Sequence, residues 1–475
     1  MNKRYKYLTK NVGLMAISQL GTKLLSVLLV PLYTNILTTE EYGSFDLIIT
    51  TINLLIPLLT FNVGEGIIVF TIQKKQNHND IISIGIKFGI IGSAIVFLLA
   101  FINAQIGLIE SLTYNWFYLP IVFLLSVIST DLVYFVQGQE HVKDTAVSGV
   151  LSSASMIFLN ILFLVVLKLG IQGYFLAYII GNLVQILYLF IRRKIWRYVV
   201  WHSNSEIQNE MIDYSKPLIF NSLSWWVNSS SDRYIVIAIA GMSANGIYSV
   251  GYKIPSILNI FQSIFASAWS ISAVKDYDQD DSDGFFSTMY AMYNCCITLI
   301  CSLIVVSSRL LAHFLYAKDF YVAWQYAPFL TIAIIFGSLS GYLGGVFFAT
   351  KNTKVFAHST VIGAITNIGL NIILVYIIGP IGAAIATVIS YFVIWLFRIV
   401  QVKKYIKLHI SLRRDLISYI ILVVQATLLF VFRDNSVLYI IEAISFVLLM
   451  ALYNKELSKV IIKVQNILNR GSVND

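Results

Sequence analysis

Apolar runs of about 20 residues recur from one end of this chain to the other, each long enough to cross a hydrocarbon layer of about 30 Å. Nothing constrains the fold more. Within such a layer backbone polar groups must be satisfied internally, so the runs fold as helices. Composition agrees: 58% of the 475 residues are hydrophobic and 12% are charged, against roughly 25% charged in a soluble protein. The mean hydropathy is +0.78. The sequence therefore predicts an all-α polytopic membrane protein.

The runs and their breaks place fourteen transmembrane helices near 12–36, 44–70, 81–101, 114–136, 145–167, 173–191, 215–240, 246–272, 285–307, 325–349, 355–378, 381–400, 415–432 and 436–453. The first follows a basic start, carries Lys23 at its centre and lacks a small-x-small cleavage site. It reads as a retained span rather than a signal peptide. All but eight of the 33 lysines and arginines fall in, or within three residues of, segments that this count puts on the cytoplasmic side, with both termini cytoplasmic. Lys168, Arg309, Lys318 and Arg433 fall outside, and Lys23, Lys87, Arg233 and Lys253 fall deeper within spans. The net charge of +9 is thus a topology signal and gives no reason to invoke nucleic acid. The three cysteines share one apolar run without spaced partners, which argues for packing rather than a metal or a disulfide framework.

An internal repeat is legible. "NILTTEEYGSFDLI" and "AIAGMSANGIYSVG" align when Gly43 is set on Gly246, an offset of 203 that also brings Phe45 onto Tyr248. "NILFLVVLKLGIQG" from Asn160 resembles "NIILVYIIGPIG" from Asn371 at a similar offset. Two six-helix lobes are expected, 1–205 and 206–408, followed by a helix pair and tail over 409–475. An even number of helices per unit gives the lobes the same orientation, a parallel repeat, and transporters commonly bind substrate between such units.

Polar residues buried in spans mark the expected path, because a central cation costs roughly 2.5–3.5 kcal/mol unless it meets water or a partner. Ser18, Gln19, Thr22, Lys23 and Ser26 share one face of the first helix; Asp46, Thr50, Asn53, Pro57 and Thr60 share one of the second. The 203 offset carries the second stripe onto Ser249, Lys253, Ser256, Ile260 and Ser263. Ser222, Trp226, Ser229 and Arg233 form the corresponding seventh-helix face, with Asn221, Asn228 and Asp232 beside it. The candidate substrate contacts are Lys23, Arg233, Lys253, Gln19, Asn53 and Asn228. Asp46, Glu65, Asp232 and Lys87 are candidates for coupling or tuning. Alternatives stay open: Arg233 can bind an anion, snorkel, or clasp Asp232; Lys87 can snorkel inward; Asp131, near a span end, reads as structural or interfacial; Trp225 and Trp226 can stack sugars or pack. No catalytic or metal-ligating cluster and no nucleotide phosphate loop occurs.

These residues carry a resemblance. "NVGLMAISQLGTKLLSVLLVPLYTNILTTEEYGSFDLI", "IPLLTFNVGEGI" and "SSSDRYIVIAIAGMSANGIYSVGYKIP" resemble bacterial polysaccharide flippases of the multidrug/oligosaccharidyl-lipid/polysaccharide exporter superfamily, and the similarity covers nearly the whole chain. The resemblance implies a non-enzymatic flippase of the bacterial cytoplasmic membrane. Its partner would be undecaprenyl-pyrophosphate-linked oligosaccharide, moved from inner to outer face for capsule, exopolysaccharide or O-antigen assembly, beside glycosyltransferases and a glycan polymerase. It implies that Lys23, Arg233 and Lys253 meet the pyrophosphate. No cofactor is implied; coupling to Na+ or H+ is compatible but not required. A murein-precursor (lipid II) flippase and a multidrug/cation antiporter are the competing readings. The acids Asp46, Glu65, Asp131, Asp232 and Glu442 depart from a uniformly cationic cavity.

Overall fold

The computed structural model describes residues 27–73, 78–107, 109–200, 203–350, 352–432 and 437–458. Within them every regular element is helical. Eleven helices among the described residues are long and apolar enough to cross a membrane, and two shorter apolar ones, Val63–Gln73 and Leu438–Leu452, accompany them. The protein is a multi-pass membrane protein. Contacts divide it into two compact units, the first ending at Ser249 and the second beginning at Val250.

The first unit contains α1 (Val30–Ile36), α2 (Thr39–Leu59), α3 (Val63–Gln73), α4 (His78–Ile106), α5 (Tyr118–Gly138), α6 (Val142–Asn160), α7 (Gly170–Arg192), α8 (Ser205–Ala240) and most of α9 (Met242–Gly251). Thr38 separates α1 from α2 with a capping box: its hydroxyl accepts from the Glu41 amide, and the Glu41 carboxylate accepts from the Thr38 amide at 2.8 Å. That reciprocal pair satisfies donors a helix start leaves open. The segment expected to run unbroken over 44–70 is two helices. Pro57 removes an amide donor from the last turn of α2, and Phe61 and Asn62 turn the chain through left-handed backbone. Such backbone costs a residue with a Cβ about 1–2 kcal/mol. Asn62 is held there by donating to Ser222 Oγ of α8 at 3.2 Å.

At 36 residues α8 starts ten residues before the expected span. The extension is tied down: Asn204 caps it, the Asn204 amide donates to Asp80 at 2.7 Å, and Lys87 Nζ donates to Gln208 at 2.9 Å. Asp131 is buried rather than interfacial, at 3% exposure. A Cβ added at Gly64 or Gly85 would lie 2.9 or 2.8 Å from its carboxylate oxygens. The two glycines thus let α3 and α4 close on it.

The second unit contains α10 (Ser256–Lys275), α11 (Phe285–Leu315), α12 (Ala327–Ala349), α13 (Thr353–Ile378), α14 (Ile381–Val402), α15 (Leu412–Val431) and α16 (Val437–Leu452). Helix α12 is its centre, and Gly345 lets the indole of Trp269 approach closely enough to donate to the Tyr342 carbonyl at 2.9 Å. Arg398 of α14, 3% exposed, ties three helices together. It donates to the Ser340 carbonyl at 2.7 Å, to Ser359 Oγ at 2.8 Å and to Thr360 Oγ1 at 3.1 Å, and lies over the Phe356 ring at 4.0 Å. Helix α15 docks on α11 through Ser302–Gln425 at 2.9 Å and Tyr419–Asn294 at 3.0 Å. Cys295 and Cys301 are buried in α11 as free thiols.

Arg398 meets only neutral acceptors, so its worth is the set of bonds it completes. Arg398→Ala strands several buried acceptors at about 1–3 kcal/mol each. It should lower the thermal unfolding midpoint of the detergent-solubilised protein by several degrees. Arg398→Lys should not restore it, because an ammonium cannot reproduce the planar fork.

Candidate functional site

A glycine crossing organises the first unit's polar seam. Gly43 of α2 faces Gly246 of α9: a Cβ on Gly43 would sit 2.9 Å from the Gly246 nitrogen, and one on Gly246 would run into the Thr39 carbonyl oxygen. Small residues permit this approach, and polar side chains then bridge the backbones. Thr39 and Ser243 hydroxyls pair at 2.6 Å, and Asn245 Nδ2 donates to the Gly43 carbonyl at 3.1 Å. Ser249 Oγ donates to Asp46 Oδ2 at 2.6 Å. The pairs Gly43/Gly246 and Asp46/Ser249 are both equated by the 203 offset. Positions that correspond in sequence thus touch in space.

One turn along α2, Asp46 also receives Arg233 Nε of α8 at 2.8 Å. Arg233 Nη1 reaches Asp232 Oδ1 at 3.3 Å and the Ser229 carbonyl at 2.9 Å. Tyr248 of α9 donates to Asp232 Oδ2 at 2.6 Å. The Asp232 side chain is 2% exposed, that of Arg233 12% and that of Asp46 22%. Two carboxylates thus hold one guanidinium, binding α2, α8 and α9 together. The cluster is a clasp wider than the Asp232–Arg233 pair alone.

Further along, Trp226 Nε1 donates to the Thr50 carbonyl at 2.9 Å, and the Tyr234 and Thr51 hydroxyls pair at 2.5 Å. These bonds fix the rotation of α8 against α2. Thr50, Pro57 and Thr60 of the expected second-helix stripe are buried, while Asn53 is exposed. On α8 the exposed polar line is Asn221, Trp225 and Ser229, spaced by four. Trp226 packs; Trp225 does not.

The other expected contacts fall as follows. Asn228 is buried at 3% and donates to the Ser224 carbonyl of its own helix. Glu65 is exposed and accepts from Tyr134 at 3.3 Å; Lys87 is exposed and holds Gln208. Lys253, in the second unit, is half-buried in the turn between α9 and α10. Lys23 and Gln19 lie outside the described residues. Sequence reasoning missed Tyr248 as the Asp232 partner and left Trp225 undecided against Trp226. The offset of 203 pointed to the Asp46–Ser249 pair, and the spacing 221–225–229 pointed to Trp225.

The family model described as polysaccharide biosynthesis protein matches residues 8–271, more than half of the chain. The chain belongs to that family. It is 26% identical over 308 residues to an uncharacterized membrane protein of Methanocaldococcus jannaschii, covering 59% of this chain and 71% of that one. Among solved structures, a lipid II flippase MurJ in an inward closed conformation superposes with a TM-score of 0.69 at 16% identity, covering 94% of this chain and 99% of that one. An inward-facing multidrug resistance MATE family transporter gives 0.64 at 14% identity, covering 82% and 98%. A MOP superfamily transporter from Pyrococcus furiosus gives 0.58 at 15%, covering 84% and 96%. At these identities the likeness is one of fold. Family and fold together make the chain a polysaccharide biosynthesis family member with the fold shared by these flippase and transporter structures.

Two outcomes test this geometry. Gly246→Ala forces backbone apart at the crossing and should cost about 1–3 kcal/mol, read as a lowered unfolding midpoint. Gly369→Ala, where nothing lies within 4 Å of the added carbon, should be neutral or better. Arg233→Ala leaves two carboxylates facing each other, at about 3–5 kcal/mol for a broken buried pair. Membrane levels of that variant should fall, and adding Asp46→Asn with Asp232→Asn should recover much of the loss.

Proposed function

We propose that the protein flips undecaprenyl-pyrophosphate-linked oligosaccharide repeat units from the inner to the outer face of the bacterial cytoplasmic membrane, supplying capsule, exopolysaccharide or O-antigen assembly. In this reading fourteen helices, with both termini cytoplasmic, form lobes 1–205 and 206–408 and a terminal pair with tail over 409–475. The lobes alternate access to the two sides. The observation that carries the reading is the exposed polar line of α8, Asn221, Trp225 and Ser229, with Asn53 exposed on α2. In a membrane protein such a line suits a hydrated glycan rather than a lipid tail.

Arg233 is engaged by two carboxylates, so its part is to hold the seam. Lys23, which the sequence puts midway along the first expected span, and Lys253, in the turn after α9, are the proposed ligands of the anionic headgroup. Gln19, Asn53 and Asn228 complete the proposed polar set, with Asp46, Asp232, Glu65 and Lys87 as structural or tuning groups. The membrane potential supports the direction. An inside-negative potential favours outward movement of an anion by about 2.3 kcal/mol per charge per 100 mV. Coupling to Na+ or H+ would add to this but is not needed.

Lipid II transport is the second reading, favoured by the likeness to a lipid II flippase; the family match favours a polysaccharide precursor. Deleting the gene and identifying the accumulated lipid-linked intermediate by mass spectrometry separates them. A polysaccharide repeat unit on undecaprenyl pyrophosphate supports the proposal, a muropeptide supports the second reading, and no lipid-linked species overturns both. Within an accumulating strain, Lys23→Ala should abolish export at near-normal protein levels and Lys23→Arg should retain part of it. Normal export by the alanine variant would remove Lys23 from the headgroup site.

A further inference from the structure

Trp225 has an unusual setting for a tryptophan in a helix of a membrane protein. It is 42% exposed, and the residues one turn before and after it, Asn221 and Ser229, are exposed too. Among the described residues no aromatic ring stacks on it and its indole N–H has no acceptor. Phe220, 78% exposed, lies about 140° round the helix from it at 100° per residue. Helix α8 therefore has an apolar exposed direction suited to lipid and a separate polar one. Trp225 stands in the polar one.

Its orientation is fixed from behind. Trp226 is bonded to the Thr50 carbonyl and Tyr234 to Thr51, so α8 cannot roll. Arg233 folds back to the Ser229 carbonyl and closes the end of the line. Ser229 Oγ donates to the Trp225 carbonyl at 2.8 Å and meets Ser230 Oγ at 3.2 Å, which leaves one of its two lone pairs to accept, while the Asn221 amide is uncommitted among the described residues.

We propose that Trp225, flanked by Asn221 and Ser229, is a stacking platform for one hexopyranose ring of the transported glycan. The inference rests on the lipid-linked oligosaccharide reading above and names the part of that substrate this site takes. A pyranose presents one face of C–H groups and a rim of hydroxyls. The C–H face carries partial positive charge and suits the negative face of an indole. The rim hydroxyls then meet the Asn221 amide, which both donates and accepts, and the Ser229 oxygen, which accepts. A platform of this kind recognises ring shape rather than charge, separately from the cations that meet the pyrophosphate.

The test uses the full chain in its own host, with surface glycan and the lipid-linked intermediate measured by mass spectrometry. Trp225→Ala should cut export about tenfold, the scale of losing one central aromatic contact, with the intermediate accumulating and protein levels and unfolding midpoint near wild type. Trp225→Tyr and Trp225→Phe should keep most of the export and Trp225→Leu should not, since Leu supplies apolar bulk without a ring face. A membrane-impermeant maleimide should label Trp225→Cys in intact membranes, located by peptide mass spectrometry, and should not label Phe220→Cys. Export by the alanine or leucine variant at the wild-type level, or labelling of Trp225→Cys by a lipid-soluble reagent alone, overturns the platform and leaves the proposed transport standing. A deletion strain with no lipid-linked saccharide overturns both.

Discussion

A guanidinium buried among packed helices must find partners within the protein, and the first unit is built around how Arg233 finds them. Its two carboxylates come from different elements, Asp46 from α2 and Asp232 from its own helix α8. Each carboxylate then needs a further donor, because one guanidinium does not saturate four oxygens. Ser249 and Tyr248 supply these from α9. The demand for complete satisfaction, severe at low dielectric, thereby fixes the register of three helices at once. The Gly43–Gly246 crossing makes it geometrically possible, since the hydroxyl of Ser249 reaches Asp46 only if the two backbones nearly touch.

Residues that the 203 offset equates meet at that crossing: Gly43 with Gly246 and Asp46 with Ser249. Contacts of this kind are what a local two-fold relation would produce, by the logic of isologous interfaces. The asymmetry is equally informative. Asp46 is a carboxylate acceptor while Ser249 is a hydroxyl donor, so the two form a bonded pair where two carboxylates would repel. The second unit meets the same demand differently: Arg398 is satisfied by a carbonyl and two hydroxyls, without an acid.

Much of this was legible in the sequence, for a specific reason. The length of an apolar run is set by the bilayer, so the helical character and placement of most elements follow from counting. The break at Phe61 and Asn62 was hidden within one apolar run: a lone Asn tolerates left-handed backbone but does not by itself mark a turn, and this turn is held by Ser222, 160 positions away. The early start of α8 was hidden for a like reason, its first turns being polar and stabilised by Asp80 and Lys87 from α4. At the polar seam, periodicity pointed to helices that carry the clasp but not to their rotation. Trp225 and Trp226 differ by 100° of helix, and only the bond from Trp226 to Thr50 decides which one is free to face outward.

The clasp bears on the transport step as well as on the resting fold. Under the proposed alternating access, any movement that parts α2 from α8 and α9 must break the Arg233–Asp46 and Ser249–Asp46 bonds together, because both end on the same oxygen of Asp46. In a dry seam that would cost about 3–5 kcal/mol, too much for rapid exchange without compensation. The side chain of Asp46 is 22% exposed, whereas that of Asp232 is 2% exposed. Water can therefore reach the half of the clasp that must open, while the half within α8 and α9 stays shut. Hydration at Asp46 lowers the cost of parting, and Asp232 keeps Arg233 paired throughout, so no bare cation is left in hydrocarbon. The uneven burial of two carboxylates around one guanidinium is thus suited to a seam that opens along one side only.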